Sequence, residues 1–494
     1  MSVSPIAAQT TADAPPFVDA LLNRLRDGAV IVDPTALRTY ECDGLTGFRV
    51  VPRAVVLAET TEDVRHAVLT CRDFGVPYVA RGAGTGLSGG ALPSADGIVI
   101  SLQRMRKIVE IDPRNLRAVV EPGVTNVDIT KAAAPFGLHF APDPSSQQVC
   151  TVGGNVAENS GGAHCLKYGF TVHHVLELEV VLPDGSVARL GGVNRENVGY
   201  DLLSALVGSE GTLGIVTQVV VRLVRNPATV HTLCADFPSI AAASAAVTRI
   251  IAEGIVPAAI EMMDALAIEA SEAAVGAGYS LDTAAALIVE NDGPAAESKV
   301  EFEAVERICH EAGTTKIRIA QDATERAMIW RGRKAAFAAV GRISPDYIVQ
   351  DGVVPRTRLG EILARIAQMA AESGLRVANV FHAGDGNLHP LVLYSEAAGQ
   401  LEPAEELSRE IAELCVEMGG SLSGEHGIGT DKACSMPRMF SESDLAAMWR
   451  LRRAFDPEGL CNPGKLLPTP RLCGEKPGVY VPHALEVSGD IERF

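Results

Sequence analysis

The chain has 494 residues, 47% of them hydrophobic and 5% aromatic, a composition that predicts a globular protein of two or three domains. Its 61 acidic residues outnumber its 43 lysines and arginines, giving a formal net charge of −18, which disfavours nucleic acid and anionic lipid as partners. No basic run, uninterrupted apolar span or secretory signal is evident, so we expect a cytoplasmic protein without a transmembrane segment.

The ten cysteines are scattered along the chain and form no C-x-x-C pair. This pattern predicts reduced and mostly buried thiols. It argues against a disulfide framework, a four-thiolate zinc site and an iron–sulfur cluster.

Helix and strand signals alternate from the N-terminal end onwards. FVDALLNRLRDG predicts a helix, VVLAE a strand, and TTEDVRHAVLTCRDFG a second helix with Thr61 as its N-cap and Gly75 at its end. Short β-rich runs separated by Gly, Pro and Asp turns follow from Val76 to Val224. Within them, VLPDGSV is typical of a hairpin.

The residue pattern changes after Asn226-Pro227, where alanine-rich helices alternate with strands of similar length. This alternation predicts a second α+β domain with helices on one face of its sheet. A further helix begins at Ser441 with Asp444 as its capping partner. We therefore predict the fold class α+β and three segments, 1–225, 226–422 and 423–494, the last returning to the first domain.

Three glycine-rich loops lie in the first half of the chain. RGAGTGLSGG contains G-x-G-x-x-G, but neither the helix nor the acidic residue that a nicotinamide dinucleotide requires follows it. A glycine loop between two strands can still bind an anion through its backbone N–H groups. Residues 142–164 and 208–217 repeat the Gly/Ser/Thr pattern, so we predict that three loops hold one long ligand.

These three segments are similar to the flavin-binding domain of the vanillyl-alcohol-oxidase type, and the resemblance covers nearly the whole chain. It implies a two-part FAD-binding domain and an α+β cap domain that holds the substrate. Some members attach FAD through a histidine where this chain has Thr85, which implies non-covalent FAD. The positions that the resemblance assigns to FAD are Arg81, Gly82, Gly84, Thr85, Gly86, Leu87, Ser88, Gly89, Pro142, Asp143, Ser145, Thr151, Gly153, Gly154, Asn155, Asn159, Gly161, Gly162, Glu210, Gly211, Gly214, Ile215 and Asn462.

NVFHAGDGNLHPLVLY predicts two strands around a Gly-Asp-Gly-Asn turn. His382 and His389 flank the turn, and if they pair across it their Cβ atoms lie about 5 Å apart on one face, with Asn387 beside them. SGEHGIG adds Glu425 as a third ligand and His426 as a base. Two imidazoles, one carboxylate and an open position predict a catalytic divalent metal, with Zn²⁺ as the expected ion.

WRGRKAAF supplies the candidate for binding a substrate carboxylate, because a guanidinium can form a bidentate pair with one. We predict that Arg333 has this role. Arg331 and Lys334 are expected at the surface.

The segments VGRISPDYIVQDG, RVANVFHAGDGNLHP, SGEHGIG and AFDPEGLCNPGK resemble the FAD-binding subunits of bacterial glycolate oxidases, within the FAD-linked D-2-hydroxyacid dehydrogenases. The tail from RLCGEKPGV to DIERF is similar to the same subunits. The resemblance implies that His382, His389 and Glu425 bind the metal, that Arg333 binds the substrate carboxylate and that His426 takes the hydroxyl proton. The expected reaction is glycolate to glyoxylate with hydride transfer to the flavin N5.

The resemblance also implies partners. Because no cysteine pattern for a cluster is present, electrons must leave through other proteins or directly to a quinone. The expected companions are a second flavin-domain-like subunit and an iron–sulfur subunit, which would bring the chain to the inner face of the membrane only peripherally.

Other functions stay open on the sequence. Within the same class, the substrate could be D-lactate or D-2-hydroxyglutarate, and the latter would require a second cation near Arg333, such as Lys334 or Arg342. In another class, a metallohydrolase would use the two histidines and the glutamate to activate water. The metallohydrolase alternative leaves the three glycine loops without a role. A third alternative, a non-catalytic binding protein, leaves the metal site and the base without a role.

Overall fold

The computed structural model describes residues 15–192 and 199–469, so the similarity of the tail from Arg471 onwards lies outside the described residues. The described chain forms sheets of four, five and nine strands and a two-stranded ribbon, with helices distributed along its length. The predicted α+β class is confirmed. None of the described helices combines the length and the apolar character needed to cross a membrane.

The first unit is a small sheet in the strand order β1-β2-β4-β3, in which β2, β4 and β3 run parallel. The N-cap of the helix before β3 is Thr60 and not Thr61, because Thr60 and Asp63 form a capping box. Gly75 ends that helix in the left-handed conformation, as predicted. The elements of this unit are α1 (Pro16–Arg24), β1 (Val30–Ile31), α2 (Pro34–Leu37), β2 (Ala54–Leu57), α3 (Thr61–Phe74), β3 (Tyr78–Arg81) and β4 (Ile98–Ser101).

The second unit is an antiparallel sheet in the order β5-β6-β10-β8-β9. The predicted VLPDGSV hairpin joins β8 to β9, with Val181 opposite Val187. The elements are β5 (Ile108–Asp112), β6 (Arg117–Val120), α4 (Asn126–Ala133), β7 (Leu138–His139), α5 (Val152–Glu158), α6 (Cys165–Tyr168), β8 (Val175–Val181), β9 (Val187–Gly191), α7 (Leu202–Leu206), β10 (Ile215–Arg222) and β11 (Val224–Arg225), where β7 and β11 form the ribbon.

The third unit is the nine-stranded sheet, whose main path runs β15-β12-β14-β13-β18-β19-β17, with β20 pairing to both β16 and β18. Its elements are β12 (Thr229–Phe237), α8 (Ile240–Ala252), β13 (Ala259–Asp264), α9 (Ala265–Val275), β14 (Ala285–Gly293), α10 (Ala295–Glu311), β15 (Lys316–Ile319), α11 (Ala323–Ala339), β16 (Asp346–Val349), β17 (Gly352–Val353), α12 (Leu359–Ser373), β18 (Arg376–His382), β19 (Asn387–Leu388), β20 (Pro390–Tyr394) and α13 (Leu401–Glu417).

Helices cover both faces of this sheet, so the prediction of helices on one face was wrong. Leu233 and Leu287 of β12 and β14 pack in a core with α8, α10, α12 and α13. Their neighbours Cys234 and Ile288 pack on the opposite side with α9 and α11. Because alternate strand residues point to opposite faces, two apolar faces require two layers of helix, and continuous apolar runs such as AAALIV already contain both faces.

The C-terminal part returns to the first unit. Helices α14 (Met436–Met439) and α15 (Glu442–Phe455) follow the third unit, and Cys461 then forms a parallel bridge to Tyr78 of β3. The Asn462 backbone N–H donates to the Tyr78 carbonyl at 2.8 Å. The last described residues are therefore fixed beside the strand that leads into the first glycine loop.

Candidate functional site

A cavity of about 670 Å³ lies where the three glycine loops meet the third sheet. This volume is in the range of sites that enclose an organic ligand of moderate size. Of the positions that the sequence assigned to FAD, the cavity is bordered by Arg81, Gly82, Gly84, Thr85, Gly86, Leu87, Ser145, Thr151, Gly153, Gly154, Asn155, Glu210, Gly211, Gly214 and Ile215.

The remaining predicted positions do not border the cavity. Asn462 is buried and donates through Nδ2 to the Gly90 and Glu210 carbonyls, at 2.9 and 2.6 Å, which ties the first loop to the third. Asn159 ends α5 in the left-handed conformation. The other positions in this group, which do not border the cavity, are Ser88, Gly89, Pro142, Asp143, Gly161 and Gly162.

The loops suit an anionic ligand of some length. Arg81 is the buried cation of the first loop, and its Nη1 donates to the Cys42 carbonyl at 2.7 Å. At Gly82 a Cβ atom would overlap the Thr151 hydroxyl, so glycine is required where the first two loops approach each other. Buried oxygens without a hydrogen bond, Ser88 Oγ and Glu158 Oε2, lie at the same loops. The residues present therefore fit a bound dinucleotide.

Where Glu425 and His426 border the cavity, His382, His389 and Glu425 bring three ligand atoms within 4.8 Å of one another. Glu425 Oε1 lies 3.3 Å from His382 Nε2 and 3.1 Å from His389 Nε2. The strand register differs from the prediction, because His382 pairs with Asn387 and not with His389. The two imidazole rings nevertheless lie 5.2 Å apart, since the turn places His389 diagonally across from His382.

The donor set fits a divalent metal. His389 is buried, and neither of its ring nitrogens makes a hydrogen bond, which is costly unless another partner is present. Glu261 Oε1 contacts His382 Nδ1 at 2.7 Å and thereby leaves Nε2 toward Glu425. Burial alone would lower the pKa of His382, but the carboxylates of Glu261 and Glu425 raise it well above its usual value. The surroundings of the His382 ring therefore favour a positive charge.

Arg333 lies behind the metal candidate on α11. It is buried, and its Nη2 pairs with Glu261 Oε2 at 2.6 Å, while its Nε makes no hydrogen bond. The ring of Phe337 lies 5.7 Å from the Arg333 Cζ and 5.5 Å from the His389 ring. Lys334, expected at the surface, is exposed and also borders the cavity.

His426 is stacked on His389, with ring centres 4.9 Å apart. Burial lowers its pKa to about 4, although Asp351 opposes this shift, so the imidazole is neutral near pH 7. Asn387 is buried, its Oδ1 has no hydrogen bond, and a Cβ at Gly424 would lie 2.5 Å from its amide. The predicted catalytic and metal residues thus lie together, beside the part of the cavity that Glu425 and His426 border.

Sequence reasoning missed Asp351, which is completely buried next to this site. Its Oδ2 accepts hydrogen bonds from the Ser423 hydroxyl and from three consecutive backbone N–H groups, those of Gly424, Glu425 and His426, at 2.6 to 3.1 Å. Its Oδ1 has no hydrogen bond and lies 3.8 Å from His389 Nε2. The only sequence signal was an Asp-Gly pair after a strand, which is typical of an ordinary turn.

Comparison with known proteins agrees with this geometry. Residues 52–191 match the family model "FAD binding domain", and residues 226–466 match "FAD linked oxidases, C-terminal domain". The glycolate oxidase subunit GlcD of Escherichia coli K12 is 48% identical over 92% of this chain and 91% of its own. GlcD of Bacillus subtilis is 38% identical over 86% and 91%, and D-lactate dehydrogenase of Archaeoglobus fulgidus 34% identical over 85% and 93%.

Solved structures share the fold at low sequence identity. p-Cresol methylhydroxylase with substrate bound has a TM-score of 0.77 at 17% identity, covering 91% of this chain and 96% of its own. 4-Ethylphenol oxidase from Gulosibacter chungangensis has a TM-score of 0.76 at 19% identity, covering 92% and 97%. The predictions of FAD and of the vanillyl-alcohol-oxidase-type fold are confirmed, and the metallohydrolase alternative falls. The chain belongs to the FAD-linked oxidases of this fold, in the branch that contains the glycolate oxidase subunit GlcD.

Proposed function

We propose that this enzyme oxidises a small 2-hydroxy acid, with glycolate as the preferred substrate and glyoxylate as the product. The similarity to GlcD subunits over nearly the whole chain supports this substrate. The observation that carries the proposal is the joining of the glycine-loop cavity to the cluster of His382, His389 and Glu425. Glu425 belongs to the cluster and also borders the cavity, which supports binding of FAD, a metal and a hydroxy acid side by side.

His382, His389 and Glu425 are the residues that would hold a divalent metal, expected to be Zn²⁺ because two imidazoles and one carboxylate suit it. When bound, such an ion acts as a Lewis acid that makes the substrate hydroxyl more acidic. Glu261 keeps the His382 ring in place through the 2.7 Å contact to Nδ1. Glu425 is supported by its backbone N–H, which donates to Asp351 Oδ2 at 3.1 Å.

Arg333 binds the substrate carboxylate in this proposal. Its Nε is free of hydrogen bonds and its Nη2 is already fixed by Glu261, so the guanidinium is oriented before substrate arrives. His426 takes the hydroxyl proton. Its low pKa keeps the imidazole unprotonated at neutral pH, which is the form that can act as a base. Bound FAD, held non-covalently with Thr85 in its first loop, supplies the acceptor for the C2 hydride.

The preference for a monocarboxylate follows from the wall beside Arg333. Phe337 lies between Arg333 and His389, and Val349 borders the same cavity. A second carboxylate placed against these two apolar side chains would lose hydration without gaining a charged partner from either of them. Arg342, considered as such a partner, is exposed and donates to the Ala273 carbonyl. Lys334 is the cation of α11 that borders the cavity, and its Nζ lies 5.9 Å from the Trp330 ring.

Electrons must leave the chain after each turnover. None of the nine described cysteines forms a disulfide, and seven of them are buried. The described metal-ligand groups contain no cysteine. We propose that companion subunits, one related to the flavin domain and one carrying iron–sulfur clusters, accept the electrons. Under this proposal the chain is cytoplasmic and reaches the membrane only through these partners.

The decisive experiment is anaerobic reduction of the flavin in the purified, FAD-loaded protein. Glycolate, D-lactate and D-2-hydroxyglutarate are added separately, and bleaching near 450 nm, about where oxidised flavin absorbs, is followed by stopped flow. We expect the highest kcat/KM for glycolate and at least about a tenfold lower value for D-2-hydroxyglutarate. Faster reduction by D-lactate would make D-lactate, and not glycolate, the preferred substrate. If none of the three acids reduces the flavin, the proposal is refuted.

The loop that carries His426 gives a second test. A Cβ at Gly427 would overlap Glu158 Oε2 and lie 2.9 Å from Glu210 Oε1. Gly419 has almost the same φ, +84° against +85°, but its nearest neighbour is 4.0 Å away. Both Gly→Ala changes cost about 1 kcal/mol for the left-handed backbone, whereas only Gly427→Ala displaces the loop.

We therefore expect Gly427→Ala to slow flavin reduction by glycolate at least about tenfold, a typical effect of misplacing a catalytic group. Gly419→Ala should lower the melting temperature similarly and leave the reduction rate within about twofold. Equal rates in the two variants would contradict the position assigned to His426.

A further inference from the structure

Two carboxyl groups outside the metal cluster border the FAD cavity and approach the same glycine. Glu158 is the last residue of α5 in the second glycine loop, and Glu210 belongs to the third loop. A Cβ built on Gly427 would meet an oxygen of each. The described ligand-atom groups that could hold a metal do not include either residue.

The surroundings of the two carboxyl groups are very unequal. Glu210 Oε1 accepts from the Ile428 N–H at 2.7 Å and Oε2 from the Gly429 N–H at 2.8 Å, so each oxygen has a donor. Glu158 Oε2 is buried without any hydrogen bond. Two anionic carboxylates this close repel each other strongly, and the one without donors is the one that keeps a proton.

The charged groups around Glu158 agree with this division. Burial, and then the charges of Glu210 and Asp43, raise the pKa of Glu158 well above its usual value, and Lys465 opposes them. Burial also raises the pKa of Glu210, to about 7, but the two backbone donors counteract it. Lys465 already donates to the Leu92 carbonyl and to Asn462 Oδ1, at 2.8 and 3.3 Å, so it forms no ion pair with Glu158.

We propose that Glu158 is a cofactor-binding residue that stays protonated and donates a hydrogen bond from its carboxyl group to the isoalloxazine ring of bound FAD. A neutral acid has one O–H donor. The Glu158 side chain borders the cavity, and among the described residues its buried Oε2 has no hydrogen-bond partner. The ring, and not the diphosphate, is the partner because Glu210, Glu425 and Asp431 border the same cavity, and acidic groups repel a diphosphate. The inference rests on the FAD-binding family and not on the choice of substrate.

The test compares identical chemical changes at the two carboxyl groups. Apoprotein of wild type, Glu158→Gln and Glu210→Gln is titrated with FAD at pH 7, and the dissociation constant is measured by flavin fluorescence together with the visible spectrum. Glutamine at 158 keeps a neutral donor, so we expect affinity within about threefold of wild type. Glutamine at 210 turns an NH₂ group toward a backbone N–H, and we expect at least about tenfold weaker binding from the unpaired donors.

Glu158→Met supplies the variant of similar size without a donor. We expect it to bind FAD about tenfold more weakly than Glu158→Gln, the usual effect of losing one buried hydrogen bond, and to shift the flavin absorption bands. Circular dichroism and melting temperature establish that each variant is folded.

Two results would overturn the inference. Tighter FAD binding by Glu158→Gln would show that Glu158 is ionised in the wild type, and equal affinities of the Gln and Met variants would show that it does not touch FAD. Because no substrate or metal is added, failure here leaves the proposed reaction untouched, and failure to oxidise glycolate leaves this titration interpretable.

Discussion

Replacement of His389 by alanine is expected to remove the metal and to slow glycolate-dependent flavin reduction by about 10³-fold. His389 is buried, and neither of its nitrogens has a hydrogen bond, so a metal ion is the partner that we infer for Nε2. Loss of Lewis-acid stabilisation of the alkoxide costs several kcal/mol, and each 1.4 kcal/mol is about a tenfold change in rate. Metal content after dialysis and the single-turnover reduction rate are the two measurements.

The control is His66→Ala, because His66 is a half-exposed histidine of α3 that pairs with Glu62 on the surface. It should retain metal and rate within about twofold. Treatment of the wild type with a chelator should reproduce the slow rate of His389→Ala, and added Zn²⁺ should restore only the wild type. Full metal content in the His389 variant would show that the ion binds elsewhere.

Replacement of Asp351 by alanine is expected to weaken metal binding by 10- to 100-fold, the usual effect of removing a residue that orients a metal ligand. Asp351 Oδ2 receives the N–H groups of Gly424, Glu425 and His426, so its loss leaves three buried donors without a partner and releases the loop. Asp351→Asn keeps an amide oxygen for these donors and should lose less than about tenfold. Metal affinity is measured by competition with a chromophoric chelator.

Ser423→Ala is the matched control for this comparison. It removes the hydroxyl that donates to the same oxygen at 2.6 Å and accepts from the Gly427 N–H at 2.9 Å, but it leaves the three backbone bonds to Asp351 and the carboxylate charge. We expect metal affinity within about threefold of wild type. If the Asp351→Ala and Ser423→Ala variants bind metal equally, the carboxylate does not organise the loop.

The features that could be predicted from the sequence are those marked by short residue patterns. Three glycine loops and the two histidines around one turn are visible as residue types at fixed spacings. The structure brings the two histidines to Glu425, which also borders the cavity of the glycine loops. Asp351, Glu261 and Glu158 were not predictable in this way, because a single acidic residue has no spacing signal. Their importance depends on neighbours that are distant in the chain, such as Glu261 opposite His382 across β13 and β18.

The errors have the same origin. Thr60 and Thr61 are both acceptable caps by residue type, and only the position of the Asp63 carboxylate decides between them. His382 pairs with Asn387 because the turn between β18 and β19 spans four residues, a register that alternation alone leaves open. Helices on both faces of the third sheet require knowledge of which helices return to which side.

The position of Asn462 affects the order in which the protein can mature during synthesis. Because this side chain joins the first glycine loop to the third across 372 and 252 residues of chain, and Cys461 borders β3, these early segments depend on residues that are translated much later. N-terminal regions of a growing chain begin to fold first, but here the cofactor site is incomplete until the C-terminal part has left the ribosome. A nascent chain stalled before residue 460 should therefore fold its sheets without retaining flavin.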